Sequence, residues 1–404
     1  MVQPDAIDLA TAPTPRPALA RAEIDGDTVL YSDSTGRTHH LTDATSAVWR
    51  CLDSHITLRE LAEDITAVSG WDRAAVEADV VEVVRRLGRA GLLDDVAPET
   101  GWIGRARGRV ARGRPDPAVP RLIAVPPSEC ARRTQMSWAM TRTVRVGSYL
   151  LGVRSATSEL DGLVARALAA HLVDDVRAPP NYSLRLAASD GIAHHRMFRA
   201  CETPVRTRSL RRLLDALCGF LASHAAEQDS AAVHLDALVL VHDGRVMLLP
   251  PELRPLRTGE EELRRYGVRI LDSQTAPLDP ASGQLVIRPP MLTMDDAALA
   301  EAAAVAPEPE PAEAAPVAEP GHYPVRVWAD VATTGASHDT DTPSRAALVA
   351  TANRRVRNRP AIDPQTALST LAQVASGAVP VWLAAGTETG AMLEQLLKAL
   401  DRPI

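Results

Sequence analysis

The chain has 404 residues, of which 46% are hydrophobic and 24% charged, and its formal net charge is -7 at pH 7. This length predicts two or three domains with apolar cores, and the negative charge argues against nucleic acid as the main partner. No apolar run has the length of a membrane span, and the start of the chain lacks the pattern of a secretion signal. We therefore expect a cytoplasmic protein that does not enter a membrane.

The cysteines are too far apart to suggest a shared site. No C-x-x-C pair occurs among Cys51, Cys130, Cys201 and Cys218. Neither a structural zinc site nor a disulfide framework is therefore indicated, and a reducing compartment fits this usage best. We expect no metal and no cofactor.

Residues 1–18 are polar and rich in proline, which predicts a disordered tail. Three short extended runs follow, "ALARAEI", "DTVLYSD" and "RTHHLTD", separated by the turn pairs Asp25-Gly26 and Thr35-Gly36. Short runs with turn pairs between them are typical of an antiparallel meander.

Helical signals come next. Thr42 or Asp43 can begin a first helix, and Thr57 with Glu60 three residues on has the spacing of a capping box. Asp72 precedes a third helix whose apolar residues form one stripe: Val76, Val80, Val83, Val84 and Leu87. Three strands and three helices predict a winged-helix-like α+β module over residues 19–96.

The pieces "LTDATSAVW", "TLRELAEDI" and "DVVEVVRRLGRAGLL" give this module its resemblance to the PqqD-like family, over about Leu19 to Asp95. Proteins of that family are peptide-recognition elements in the biosynthesis of ribosomally made, post-translationally modified peptides. The resemblance implies a peptide cleft between the third strand and the third helix. It assigns that cleft, position by position, to Arg37, Thr38, His39, His40 and Leu41 on the strand and to Val76, Asp79, Val80, Val83 and Arg86 on the helix.

Such a cleft has a physical basis. A peptide can add a strand to an unpaired sheet edge, gaining backbone hydrogen bonds while its alternate side chains enter the adjoining groove. Any one of the valines can equally be core. His39 and His40 point to opposite faces of a strand and have no spaced carboxylate or cysteine partner, which argues against a metal site.

A winged helix that reads DNA is a further alternative. The third helix carries Asp72, Glu77, Asp79 and Glu82, which would face phosphate unfavourably, and it has no base-reading Asn or Gln. Among the possible functions, the sequence therefore favours a transcriptional regulator least.

Two composition breaks divide the rest of the chain. Residues 97–119 are rich in Gly, Pro and Arg and predict an exposed linker, while the Pro/Ala/Glu tract at 304–321 predicts a disordered insertion. Between and after them, residues 120–404 alternate strand-like and helix-like runs, which predicts a mixed α/β domain.

This second part resembles the HPr-kinase-like fold. The resemblance depends on His234 opening a strand, the Asp243-Gly244 turn, "RRYGVRILD" after a helix and the late strand "VPVWLAAG". Kinases of that fold hold phosphate in a loop of the form G-x-x-x-x-G-K-[ST], whose backbone N-H groups and lysine neutralise the phosphates.

The corresponding stretch here has lost that chemistry. It reads "PPELRPLRTGEEEL", and the only lysine of the chain is Lys398 near the C-terminus. Proline removes backbone donors and the glutamates add negative charge where phosphate would lie. We assign Pro250, Pro251, Glu252 and Arg254 to a degenerate nucleotide loop.

The sequence thus predicts a non-catalytic protein that binds a precursor leader peptide and presents it to one or more peptide-modifying enzymes. The alternative is a divergent HPr-kinase-like phosphotransferase with a fused recruiting module. The oligomeric state is not indicated by the residues.

Overall fold

The computed structural model divides the chain into two compact units, residues 1–109 with 230–286 and 322–404, and residues 110–229 with 287–321. Within them it describes residues 3–94, 96, 121–122, 137–187, 194–199, 202–253, 260–271, 275–287, 292, 294–295, 297–298, 300, 319–332, 344–384 and 386–402. The predicted linker at 97–119, Arg254 and nearly all of the predicted insertion at 304–321 lie outside the described residues. Among the helices that the structure describes, none is long and apolar enough to cross a membrane.

The N-terminal part of the first unit is an antiparallel sheet followed by helices. Its strands are β1 (Leu19–Ile24), β2 (Asp27–Ser32) and β3 (Arg37–Leu41), in that order in the sheet. Its helices are α1 (Asp43–Cys51), α2 (Leu58–Ser69) and α3 (Arg73–Arg89). The predicted order of three strands and three helices is confirmed.

Local signals account for these boundaries. Asp25 and Gly26 both have positive φ, 50° and 91°, as the two-residue turn of a tight hairpin requires. Thr57 and Glu60 form the predicted capping box, and Asp72 caps α3 by accepting from the N-H of Ala75. Helices and sheet meet in a core that includes Leu30, Leu41, Trp49, Leu58, Val76, Val80, Val84 and Leu87.

The segment before β1 differs from the prediction of a disordered tail. Residues 3–18 run along α2 and α3, with Ile7 fully buried in the core. The N-H groups of Leu58 and Arg59 donate to the carbonyls of Thr11 and Leu9. We call residues 3–16 the N-terminal strap.

The second unit is built on one large sheet. Its strands are β4 (Arg121–Leu122), β5 (Met140–Val146), β6 (Tyr149–Ser155), β7 (Leu172–Val173), β8 (Pro180–Arg185), β9 (His195–Arg199) and β10 (Glu202–Thr207), in the order β10-β9-β8-β6-β5-β7 with β4 pairing β6. Helices α4 (Ser158–Ala167) and α5 (Leu210–Ala226) contribute to its core with Leu160, Val164, Leu213 and Leu217. Buried Tyr182 donates to the carbonyl of Phe220 there, and burial raises the pKa of Tyr182 to about 12.

The remaining elements belong mainly to the first unit. They are β11 (Val233–Leu235), β12 (Leu238–His242), β13 (Arg245–Leu249), α6 (Glu260–Arg265), β14 (Arg269–Ile270), β15 (Ala276–Leu278), β16 (Leu285–Ile287), β17 (Gly321–Tyr323), β18 (Val325–Ala332), α7 (Arg345–Asn353), α8 (Pro364–Ser376), β19 (Val379–Ala384) and α9 (Thr389–Leu400). One sheet has the order β11-β15-β16-β17 and the other β14-β12-β13-β18-β19. In the five-stranded sheet β13, β18 and β19 are parallel, and its core includes Met392, Leu393 and Leu396 of α9.

Helices α7 and α8 pack against the N-terminal sheet, on the face opposite α1, α2 and α3. Helix α7 contacts all three strands and α8 lies along β1. The strand residues of this face are buried: Ala20, Ala22, Ile24, Val29 and Tyr31. The predicted single domain at 120–404 is thus divided differently in the structure, because its C-terminal part completes the core of the N-terminal module.

Candidate functional site

Among the residues that the structure describes, no strand pairs with the outer edge of β3 in the three-stranded sheet. In an antiparallel pair, successive residues direct their backbone groups alternately toward the partner and away from it. The tight turn makes Ile24 and Asp27 a hydrogen-bonded pair, and the register then alternates along β2 and β3. This alternation directs the N-H and C=O groups of Thr38 and His40 outward from the edge.

The opposite edge provides an independent check on this alternation. There Arg21 of β1 has its backbone groups directed outward, because it is paired with Leu30. The N-H of Arg21 donates to Oε1 of Gln365, and Nε2 of Gln365 donates to the carbonyl of Arg21, both at 2.8 Å. Gln365 of α8 therefore occupies the β1 edge at the position where an added strand would have to pair.

The side chains of β3 alternate between two environments. Thr38 faces α7, where its hydroxyl accepts from Nδ2 of Asn353 at 3.0 Å. His40 lies on the same face and pairs with Asp27, Nε2 to Oδ2, at 2.6 Å. Arg37, His39 and Leu41 face the helices α1 to α3, and Leu41 is buried in the core there. The predicted strand residues thus share an edge but not a face.

His39 is electrostatically distinct from His40. Partial burial lowers the pKa of His39 from its ordinary value of 6.5, and the positive charges of Arg37 and Arg354 lower it further. The Nε2 atom of His39 is buried and has no hydrogen-bond partner within the described part of the chain. This histidine is therefore neutral at physiological pH and adds no charge of its own to the edge.

The predicted α3 residues fall into two groups. Val76 and Val80 are buried in the core, and Val83 is half-buried against it. Asp79 and Arg86 are exposed. By helical spacing Asp79, Val83 and Arg86 lie along one flank of α3.

The N-terminal strap covers the other flank of α3. The side chain of Arg85 donates to the carbonyl of Ile7, and Arg89 pairs with Asp5 at 2.7 Å. A Cβ at Gly88 would lie only 2.8 Å from Cγ1 of Val96, so the absence of a side chain there lets Val96 pack against the helix. The flank that carries the predicted peptide residues is the one that the strap leaves open.

The predicted nucleotide loop begins at the end of β13, at Pro250. Glu252 approaches Arg355, whose guanidinium also approaches Asp330 at 3.4 Å. Burial raises the pKa of Asp330, partly offset by Arg355. Arg355 is therefore already paired with two carboxylates, one of them Glu252 of this loop, and Arg254 lies outside the described residues.

His234, on which the kinase resemblance partly depends, is buried and hydrogen-bonded to the side chains of Asn358 and Thr275. Its N-H donates to Oδ1 of Asn358 at 3.0 Å, and its Nδ1 lies 3.1 Å from the hydroxyl of Thr275. This is the environment of a structural histidine. Over the part of the chain that the structure describes, no group of three or more metal-ligating side chains occurs.

Sequence reasoning missed Gln365 and Asn353. Both are polar residues of helices in the C-terminal part of the chain, 344 and 315 residues from the strand residues that they contact. No local pattern signals a contact over such a separation.

Comparison with known families finds one match in the N-terminal module. Residues 27–93 match the family described as Coenzyme PQQ synthesis protein D (PqqD). This stretch includes β2, β3 and α1 to α3, and it confirms the resemblance seen in the sequence for these residues. It does not extend to residues 120–404, where the HPr-kinase-like resemblance remains a prediction.

A solved structure that matches the chain is titled "TbiB1 in Complex with the TbiA(beta) Leader Peptide". It is 30% identical, and the match covers 21% of this chain and 98% of that chain with a TM-score of 0.20. The comparison with curated proteins found no match.

Proposed function

We propose that the N-terminal module binds the leader segment of a ribosomally made precursor peptide by strand addition to β3. The observation that carries the proposal is the difference between the two sheet edges. Gln365 occupies the β1 edge, whereas the backbone groups of Thr38 and His40 face outward and pair with no strand in the described part of the chain. The PqqD match over residues 27–93 supports the same peptide class.

Backbone pairing alone gives modest affinity. Two outward-facing residues offer four backbone groups, and each hydrogen bond contributes about 0.5–1.5 kcal/mol net. Selectivity must then come from side chains beside the edge. The exposed flank of α3, with Asp79, Val83 and Arg86, is suited to contact alternate side chains of the peptide.

For the rest of the chain we propose an accessory role, in which binding brings the precursor close to an enzyme on another chain. The prolines at 250 and 251, and the pairing of Arg355 with Glu252 and Asp330, support a loop without a phosphate site. The alternative, a divergent phosphotransferase, requires binding of ATP with magnesium.

Binding of peptide and of nucleotide can be compared directly on the full chain. Synthetic peptides that tile the short open reading frames next to the gene are titrated by fluorescence anisotropy, and ATP with magnesium is tested by thermal shift. We expect one peptide to bind and to raise the melting temperature, with no shift from ATP. A shift from ATP without any peptide binding would favour the phosphotransferase.

The edge itself is tested with His40→Pro. Proline removes the outward N-H, and its ring blocks an incoming strand, yet proline is tolerated at a strand edge whose N-H faces solvent. Its matched control, His40→Ala, keeps the N-H and also loses the pair with Asp27. We expect affinity to fall by about tenfold or more in the proline variant and to change little in the alanine variant. Equal affinities for the two variants would exclude pairing at His40.

A further inference from the structure

The C-terminal end of α7 lies against β3. Asn353, the last residue of α7, is fully buried, and its Nδ2 donates to the hydroxyl of Thr38 at 3.0 Å. Immediately beyond, Asp236 donates its N-H to the carbonyl of Arg355, and Arg357 donates its N-H to the carbonyl of His234. These hydrogen bonds fix Asn353 and Arg355, so the backbone of Arg354 between them is held in place near the outer edge of β3.

Arg354 differs from the arginines around it. Arg345 pairs with Asp25, Arg357 pairs with Asp236, and Arg359 lies over the ring of Tyr31 at 4.1 Å. Arg354 is exposed, and its guanidinium makes no hydrogen bond or ion pair with any residue in the described ranges. A cation whose backbone is held in place, and which has no counter-charge among the residues described, is available to a ligand.

A second cation of the same kind lies on the strand. Arg37 begins β3, is exposed, and its guanidinium likewise has no partner among the residues that the structure describes. Arg37 precedes Thr38 in β3, and Arg354 follows Asn353, whose Nδ2 donates to the hydroxyl of Thr38 at 3.0 Å, so both arginines lie close to Thr38. Both positive charges also lower the pKa of His39.

We propose that Arg354 receives a carboxylate of the peptide that pairs with β3, with Arg37 adding positive charge from the other face of the strand, so that the chain selects an acidic leader segment. The inference depends on the proposed function and adds a residue from outside the PqqD match to its site. Charge-assisted hydrogen bonds from a guanidinium to a carboxylate are stronger than neutral ones, and a rim charge acts chiefly on selectivity and association rate.

A display library of random peptides, selected on the full chain and counter-selected on the His40→Pro variant, serves as the probe. We expect the recovered peptides to share an Asp or Glu at one position of a strand-like pattern. Recovery of edge-dependent peptides with no acidic preference would overturn the inference about Arg354 and leave strand addition intact.

Variants at Arg354 then test whether this residue causes the preference for an acidic peptide residue. With a selected peptide, we expect Arg354→Ala to lower affinity by about three- to tenfold and Arg354→Glu to lower it further. Exchanging the acidic peptide residue for Arg should restore binding to Arg354→Glu. The matched control is Arg402→Glu, because Arg402 is also exposed but follows α9, away from β3.

The outcomes separate the two proposals. Wild-type affinity in Arg354→Glu, with loss of binding in His40→Pro, would refute the role of Arg354 alone. Failure of every selected and tiled peptide to bind the wild-type chain would refute both. An equal loss in Arg354→Glu and Arg402→Glu would show a general charge effect and also refute the assignment.

Discussion

The two edges of the N-terminal sheet are chemically similar but differ in what covers them. At the β1 edge, Gln365 satisfies both outward-facing groups of Arg21. At the β3 edge, Asn353 of α7 contacts the side chain of Thr38, and no strand within the described ranges pairs with the outward backbone groups. The C-terminal helices thus protect one edge from pairing and leave the other available, as is expected of a module with one peptide site.

The largest expected effect comes from removing all residues after 96, and with them α7 and α8. A fragment limited to residues 3–96 exposes Ile24, Val29 and Tyr31, which are buried in the full chain. Full burial of one such side chain contributes about 1.5–3 kcal/mol, against a total stability of about 5–15 kcal/mol. We expect the fragment to unfold at lower denaturant concentration or to aggregate, as measured by circular dichroism and size-exclusion chromatography. A fragment as stable as the full chain would mean that the helices do not support the sheet.

The contact between Asn353 and Thr38 is expected to have the next largest effect. Asn353→Ala leaves the Thr38 hydroxyl buried without its donor, at a cost of about 1–3 kcal/mol in the free energy of unfolding. Thr38→Val removes the hydroxyl and keeps the shape of the side chain. In a double-mutant cycle by urea denaturation we expect a coupling energy above about 0.5 kcal/mol, whereas additive effects would contradict a direct interaction.

Opening the β1 edge should have a smaller effect. Gln365→Ala removes two exposed hydrogen bonds to Arg21, so we expect a loss of stability of about 1 kcal/mol or less. If the peptide pairs with β3 as proposed, its affinity should not change. A loss of affinity as large as in His40→Pro would indicate that the peptide uses the β1 edge.

The smallest effect concerns the titration of His39. Arg354→Ala removes a positive charge that lowers the pKa of His39, so that pKa should rise toward 6.5. Nuclear magnetic resonance of the imidazole protons, assigned with His39→Gln, measures the change. An unchanged pKa would contradict the position of Arg354 beside β3.

The lowered pKa of His39 in the folded chain also makes the stability of the chain depend on pH. The folded chain binds fewer protons at His39 than the unfolded chain between the lowered pKa and 6.5. The contribution of neutral His39 to stability is therefore fully present above about pH 6.5 and decreases as the pH falls through that interval.

Much of the module could be predicted because its signals are local. The turn at Asp25-Gly26, the capping box of Thr57 with Glu60 and the stripe on α3 each lie within a few residues. The position of the strap could not be predicted, because Ile7 and Leu9 are the only large apolar residues in a polar, proline-rich segment. The closure of the β1 edge by Gln365 could not be predicted either, since a polar residue on a helix surface does not reveal its partner.

Amide hydrogen exchange tests the central claim most directly, because it reads both edges in one experiment. In the free chain, the amides of Thr38 and His40 should exchange quickly and that of Arg21 more slowly, since Gln365 accepts from it. On addition of a bound leader peptide, Thr38 and His40 should become protected while Arg21 stays unchanged. Peptide binding that protects residues elsewhere and leaves Thr38 and His40 unprotected would contradict strand addition to β3.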